Sequence, residues 1–171
     1  MEEVRNFILK EFRWAMDRSK LLAPFQKDLQ KLDDLVKLVE NLEEYPIKEY
    51  ASYALTHLQK QKTDLEPFHN RFIDTIFKTD NQSVLRNLTN ILSQQELTDY
   101  RESELIDLLI GFIQDPKNKV ALHVYSIYVL IKFVHRYPEL KDEIEEIIEL
   151  NSEGKTAAWK IAKRNFHQQT K

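Results

Sequence analysis

Five histidines, His57, His69, His123, His135 and His167, are the side chains here best suited to metal binding or to proton transfer near neutral pH. No two of them stand four apart, the spacing that would set two metal ligands on one helical face. His57 and His69 could meet across a hairpin, but they read as ordinary surface or boundary residues. His123 and His135 sit at opposite ends of one apolar run, too far apart to share an ion. With no cysteine in the chain, thiol nucleophiles and thiolate-bound metals are excluded as well. No metal and no cofactor is expected.

Charged residues gather toward the C-terminus. Glu139, Asp142, Glu143, Glu145, Glu146, Glu149 and Glu153 stand against Lys141 alone. Paired-carboxylate acid–base chemistry needs two such groups in a dry pocket with separated pKa values, and nothing in the sequence supplies one. The run reads as a solvated helix face and a candidate interaction surface. The basic stretch that follows, Lys155, Lys160, Lys163, Arg164 and Lys171, is expected to neutralise that acidic helix rather than to bind phosphate. Trp14 and Trp159, near the two ends, are expected to be buried there. Gly111, inside an apolar helix, is expected to permit close helix approach.

The elements that must carry these residues are helical. Leu29, Leu32, Leu35, Val36, Val39 and Leu42 trace one apolar stripe at three- and four-residue spacing. Phe68, Phe72, Ile73, Ile76 and Phe77 make a second, and Leu105 to Ile113 a third, wider one. Ile144, Ile147, Ile148 and Leu150 make a fourth. Pro24, Pro46, Pro67, Pro116 and Pro138 read as helix starts, and Asp64, Asp80, Ser103 and Asp115 as caps or turn residues. The spacing predicts helices near 3–20, 24–44, 46–61, 65–78, 81–96, 103–114, 117–136, 139–150 and 154–168.

An internal repeat runs through this map. Residues 50–58 match 84–92 in apolar spacing, 34 positions on, and a third copy lies around 120–130. Its register is ambiguous by one or two residues, and Ala54, Leu88 and Tyr125 are expected at similar inward positions. A truncated fourth copy occupies 156–162, the only one that a second amphipathic helix does not follow.

Composition narrows the functional classes. Across 171 residues there are two glycines and five prolines, too few for a β-sandwich or a glycine-rich phosphate loop. The net charge of −3 and pI of about 6.0 give no global positive field to draw the chain onto nucleic acid. The apolar run from Val120 to Val134 is interrupted by His123, Ser126 and Lys132 and is too short for a membrane helix. Met1 to Phe7 begins acidic and lacks the features of a signal peptide, so a cytoplasmic location is expected.

The helix-pair unit resembles HEAT-like and armadillo-like repeats, and Asp115-Pro116 before Val120-Ala121 is similar to the aspartate–proline turn that often precedes a first HEAT helix. The C-terminal half also resembles a family of short bacterial HEAT-like proteins. The residues that carry this are Lys119-Val120-Ala121 with Tyr125-Ser126 and Leu130, then Pro138-Glu139-Leu140-Lys141, then Gly154-Lys155 leading into Ala157 and Lys160-Ile161. Phe77-Lys78-Thr79-Asp80 and Ala54-Leu55 extend it over most of the chain. Members of that family frequently carry an automatic label of adenylosuccinate lyase. The lyase's signature loop sets serines beside methionine and glycine. Here Met occurs only at Met1 and Met16, and neither Gly111 nor Gly154 adjoins a serine-rich loop.

The resemblance implies an all-α, right-handed superhelix (an α–α solenoid) of about four and a half HEAT-like pairs, forming a single repeat domain over 1–171. It implies a non-enzymatic scaffold or protein-binding module with a protein partner, and no membrane, nucleic-acid or small-molecule ligand. A nucleic-acid-binding or repair-type HEAT-like protein is the first alternative, and the labelled lyase the second. Candidate contact residues, on second helices off the apolar stripe, are Lys27, Lys31, His69, Asn70, Arg71, Asp107 and Gln114.

Overall fold

The computed structural model describes residues 1–154 and 156–171. Lys155, which figured in both the family resemblance and the basic stretch, lies outside them. Among the described residues there are ten α-helices and no strand. They fall into two compact units, Met1–Ile91 and Leu92–Lys171.

Unit 1 holds α1 (Glu2–Lys10), α2 (Arg18–Leu21), α3 (Leu29–Glu40), α4 (Ile47–Lys60), α5 (His69–Lys78) and most of α6 (Gln82–Leu92). The helix expected over 3–20 is broken. A 3-10 turn at Phe12–Trp14 and an extended Ala15 (φ −66°, ψ 137°) separate α1 from α2. Two causes are visible. Asp17 caps α2 by accepting from the Lys20 N–H at 3.4 Å, and Arg18 donates to the carbonyls of Phe12 (3.1 Å) and Arg13 (3.0 Å). The break turns Phe12 fully into the core.

The helix expected from 24 starts later for a similar reason. Pro24 belongs to a short 3-10 turn that buries Phe25, and Asp28 then caps α3, accepting from Gln30 N (3.0 Å) and Lys31 N (3.1 Å). Leu29, just past the cap, is 73% exposed and outside the stripe that Leu32, Leu35, Val36 and Val39 form. Pro67 and Pro138 sit in 3-10 turns that lead straight into α5 and α9. At α6 the cap is Asn81, not Asp80: its Oδ1 accepts from Ser83 N (3.0 Å) and Val84 N (3.1 Å). In this unit α3 lies along α4, α1 touches both, and α5 packs on α3.

Unit 2 is built from α7 (Glu102–Gln114), α8 (Val120–Arg136), α9 (Lys141–Leu150) and α10 (Ala157–Gln169). The apolar α8 is its centre, packed against α7 and α10, with Leu122, Ile127, Val129 and Leu130 fully buried. Each such side chain contributes on the order of 1.5–3 kcal/mol by leaving water. Lys132 on this helix donates to the carbonyls of Leu92 (3.3 Å) and Gln95 (2.5 Å), while burial lowers its pKa. Trp159 of α10 is fully buried, as expected; its Nε1 donates to Ser152 Oγ at 3.1 Å and its ring meets His123 edge-on at 5.5 Å. Gly111 departs from expectation. It faces solvent, and a Cβ built there would meet nothing within 4 Å, so no close helix approach depends on it.

Burial corrects the register of the repeat. The order of buried and half-buried positions over 51–58 recurs over 84–91, a shift of 33 rather than 34, and aligns buried Thr56 with buried Thr89. The order over 84–92 recurs again over 126–134. Ala54 and Leu88 are both fully buried but one position out of phase, and Tyr125 is only half-buried. The apolar spacing misled because α8 is hydrophobic on most sides and fits several registers. No helix among the described residues is long and apolar enough to cross a membrane.

Candidate functional site

Of the seven candidate contact residues, Lys27, Lys31, His69, Asn70 and Arg71 lie in unit 1 and Asp107 and Gln114 in unit 2. Lys27 is exposed, in the turn before α3 rather than on it, and Asn70 is exposed in the first turn of α5. Lys31 is held by Glu3 of α1 at 2.7 Å, which raises its pKa, so α1 covers part of the ridge that α3 was expected to offer. His69 is 3% exposed, on the buried face of α5, and a partner cannot reach it.

Arg71 is committed within unit 1. Its Nε and Nη2 fork onto the two oxygens of Glu40 at 2.6 and 2.5 Å, and Nη1 reaches Asp33 at 2.5 Å. Lys37 also bonds Asp33, at 2.7 Å. These cations hold the Asp33 carboxyl below its usual range, Lys37 most and then Arg71, and Glu40 chiefly raises the guanidinium in return. The cluster fastens α5 to α3. Asp107 and Gln114 are exposed on α7 in unit 2.

What unit 1 does assemble is a cleft between α4 and α6. Its volume is about 250 Å³, and Tyr45, Glu49, Tyr50, Tyr53, Ser83 and Arg86 line it. Tyr53 stands three residues after Tyr50 and four after Glu49 on the first two turns of α4, and Tyr45 precedes the helix at Pro46. Two asparagines set α6 against them. Asn81 donates from Nδ2 to Glu49 Oε1 at 2.7 Å while capping α6. Asn87, buried, donates to Ser52 Oγ at 2.9 Å and with its own Oδ1 accepts from Arg86 Nε and Nη2, both at 3.1 Å. The guanidinium of Arg86 is thus held in place by an amide, not by a carboxylate.

Aromatic rings and further guanidinium groups extend the cleft. Arg13 lies over the ring of Trp14 at 4.5 Å and over Tyr50 at 5.8 Å, and Arg18 over Phe12 and Tyr53, each at 5.8 Å. Such cation–ring contacts contribute about 0.5–1 kcal/mol each where water reaches them. Trp14, expected to be buried, is 70% exposed, because the break after α1 turns Phe12 inward in its place; Tyr45 is 75% exposed. Among the described residues no carboxylate pairs with Arg13, Arg18 or Arg86. Arg13 Nε and Glu49 Oε2 are buried without a hydrogen-bond partner. A buried polar atom left this way is worth about 1–3 kcal/mol to whatever satisfies it.

The cleft therefore offers ring faces, guanidinium donors and one carboxylate acceptor within a small volume. Sequence reasoning passed over Tyr45, Tyr50, Tyr53 and Arg86. The available signal was Tyr45 just before Pro46, with Tyr50 and Tyr53 on the side of α4 away from its apolar stripe. Among the described residues no three His, Asp or Glu side chains converge as a metal site would require.

Successive helix pairs, with a burial pattern that recurs from α4 to α6 to α8, define the class of α-helical repeat proteins. A family model described as a HEAT repeat domain matches residues 9–170, and the chain belongs to that family. No curated protein and no solved structure matches it.

Proposed function

We propose that this chain is a non-enzymatic protein-binding module, a single HEAT-like repeat domain over 1–171, and that it holds a partner segment against the tyrosine–arginine cleft of unit 1. HEAT repeats commonly mediate protein interactions, which supports the general reading. One observation carries the particular one: Trp14, Tyr45, Tyr50, Tyr53, Arg13 and Arg86 form a partly exposed cluster whose arginines have no carboxylate partner. Tryptophan, tyrosine and arginine are the residue types that dominate protein-interface hot spots. Their ring faces bury large area at low conformational cost, and the paired guanidinium N–H groups fix orientation.

A catalytic reading of the cleft has less support. Among the described residues Glu49 is the only carboxylate that lines it, and neither a histidine nor a second acid stands there to shuttle a proton. The lyase label and the repair-type alternative gain nothing from its lining residues.

Panning a displayed random-peptide library on the immobilised protein tests the reading. Enriched peptides should bind the wild type and lose at least tenfold in affinity when Trp14→Ala and Arg86→Gln are combined. Enriched peptides that bind the double variant as well as the wild type would place the binding surface elsewhere.

A further inference from the structure

The face of α10 turned away from the core is basic. Trp159, Ala162 and Phe166 point inward, and on the opposite side Lys160, Ile161, Arg164 and Lys171 are exposed; Lys160, Arg164 and Lys171, with Lys163, His167 and Gln168, line a shallow depression of about 380 Å³. Ile161 is 45% exposed. Lys160, Arg164 and Lys171 have no ion-pair partner among the described residues. On its flank α10 is already matched: Lys163 bonds Glu149 of α9 at 2.5 Å, and His167 bonds Glu145 at 2.8 Å. Those pairs realise part of the neutralisation expected from the sequence, and Lys163 chiefly lowers the Glu149 pKa.

The neighbouring helix carries the opposite charge. Asp142, Glu146 and Glu149 recur at four- and three-residue spacing on the exposed face of α9, beside Leu150, which is 75% exposed. Asp142 and Glu146 have no ion-pair partner among the described residues. Because Glu149 belongs to this face and also bonds Lys163, the acidic and basic faces adjoin at that pair.

We propose that the occupant of the α10 face is α9 of a second copy of this chain, in a two-fold symmetric dimer where each copy's acidic face meets the other's basic one. Two adjoining faces of opposite charge on one surface are self-complementary, which is what an isologous interface requires. The α9–α10 contact within one copy shows the pairing in use. Glu145 and Glu149, four apart on α9, meet His167 and Lys163, four apart on α10, and Lys160 and Arg164 repeat that spacing outward. Leu150 and Ile161 supply the apolar contact that such a pairing covers. A lipid surface fits less well, because Trp159 and Phe166 of α10 are buried in unit 2 and a lone Ile161 is too little apolar surface to insert. The carboxylates of α9 beside the basic face repel a phosphate backbone. The surface lies on unit 2 and is independent of the cleft reading.

Sedimentation equilibrium of the full chain tests this, because exposed ion pairs weaken as salt screens them. The wild type should form a dimer whose population rises with concentration and falls at least threefold between about 50 and 500 mM salt. Lys160→Glu with Arg164→Glu makes both faces acidic, and Asp142→Lys with Glu146→Lys makes both basic. Each variant alone should be monomeric with unchanged helicity by circular dichroism, and an equimolar mixture should give a heterodimer. A wild type monomeric throughout, a variant that still dimerises alone, or a mixture that stays monomeric would each overturn the proposal.

Discussion

Replacing Arg71 by methionine keeps most of the side chain's apolar bulk and removes its charge, leaving Glu40 and Asp33 without their guanidinium. Three charge-assisted bonds of 2.5–2.6 Å are lost at once, between side chains 27–30% exposed. Fully exposed pairs contribute about 0–1 kcal/mol, and breaking a fully buried one costs about 3–5 kcal/mol. A forked, partly covered cluster falls between, and Lys37 still holds Asp33. The expected loss is about 1–2 kcal/mol in urea unfolding at neutral pH and low salt. Arg71→Lys should recover less than half, since an ammonium cannot fork onto Glu40 and reach Asp33 together.

The sign of the pH dependence follows from Asp33. Its folded pKa is depressed, so its contribution is present above the ordinary carboxylate range and is lost as pH falls through the folded value. The gap between wild type and Arg71→Met should therefore close in acid. A loss below about 0.3 kcal/mol, or a gap that widens as pH falls, would refute the structural role assigned to Arg71 and return it to the surface as a contact residue.

Trp159→Ala, at a fully buried site, should cost about 3–5 kcal/mol, and Trp159→Phe clearly less, by chemical unfolding. His57, whose pKa is lowered by burial and then by Lys60 and Arg18, should make stability fall as pH drops through the usual histidine range. The unfolded chain takes up that proton more readily, and His57→Gln should flatten this part of the profile. Asn87→Ala should cost about 1–3 kcal/mol, because Arg86 loses its acceptor and the Ser52 hydroxyl keeps only its bond to the Glu49 carbonyl.

The all-helical class and most helix centres were legible because apolar residues recur at helical spacing and prolines and aspartates mark the ends. What sequence reasoning missed depends on polar contacts that the apolar spacing does not encode. The break after α1 comes from Arg18 binding two carbonyls that a continuous helix would have used, and it reverses the expected exposure of Trp14. The one-residue shift from 34 to 33 shows in burial, where Thr56 and Thr89 are both inside, and not in hydrophobicity, where neither counts as apolar. Among the candidate contact residues, charge was read as availability. Arg71 and Lys31 turned out to bind carboxylates of neighbouring helices, and His69 lay on the buried side. The cleft was hidden because its tyrosines also read as ordinary boundary residues of an amphipathic helix.

The central claim is that the α4–α6 cleft receives a protein partner, and site-specific photo-crosslinking in the cell that makes this protein tests it most directly. A photoreactive phenylalanine analogue in place of Tyr45, which is 75% exposed at the cleft's edge, is compared with one in place of the exposed Lys117. A discrete heavier adduct is expected at position 45, absent at 117, that disappears when Trp14→Ala and Arg86→Gln are added. Adducts of equal yield at both positions, or an adduct at 45 that survives those substitutions, would contradict it.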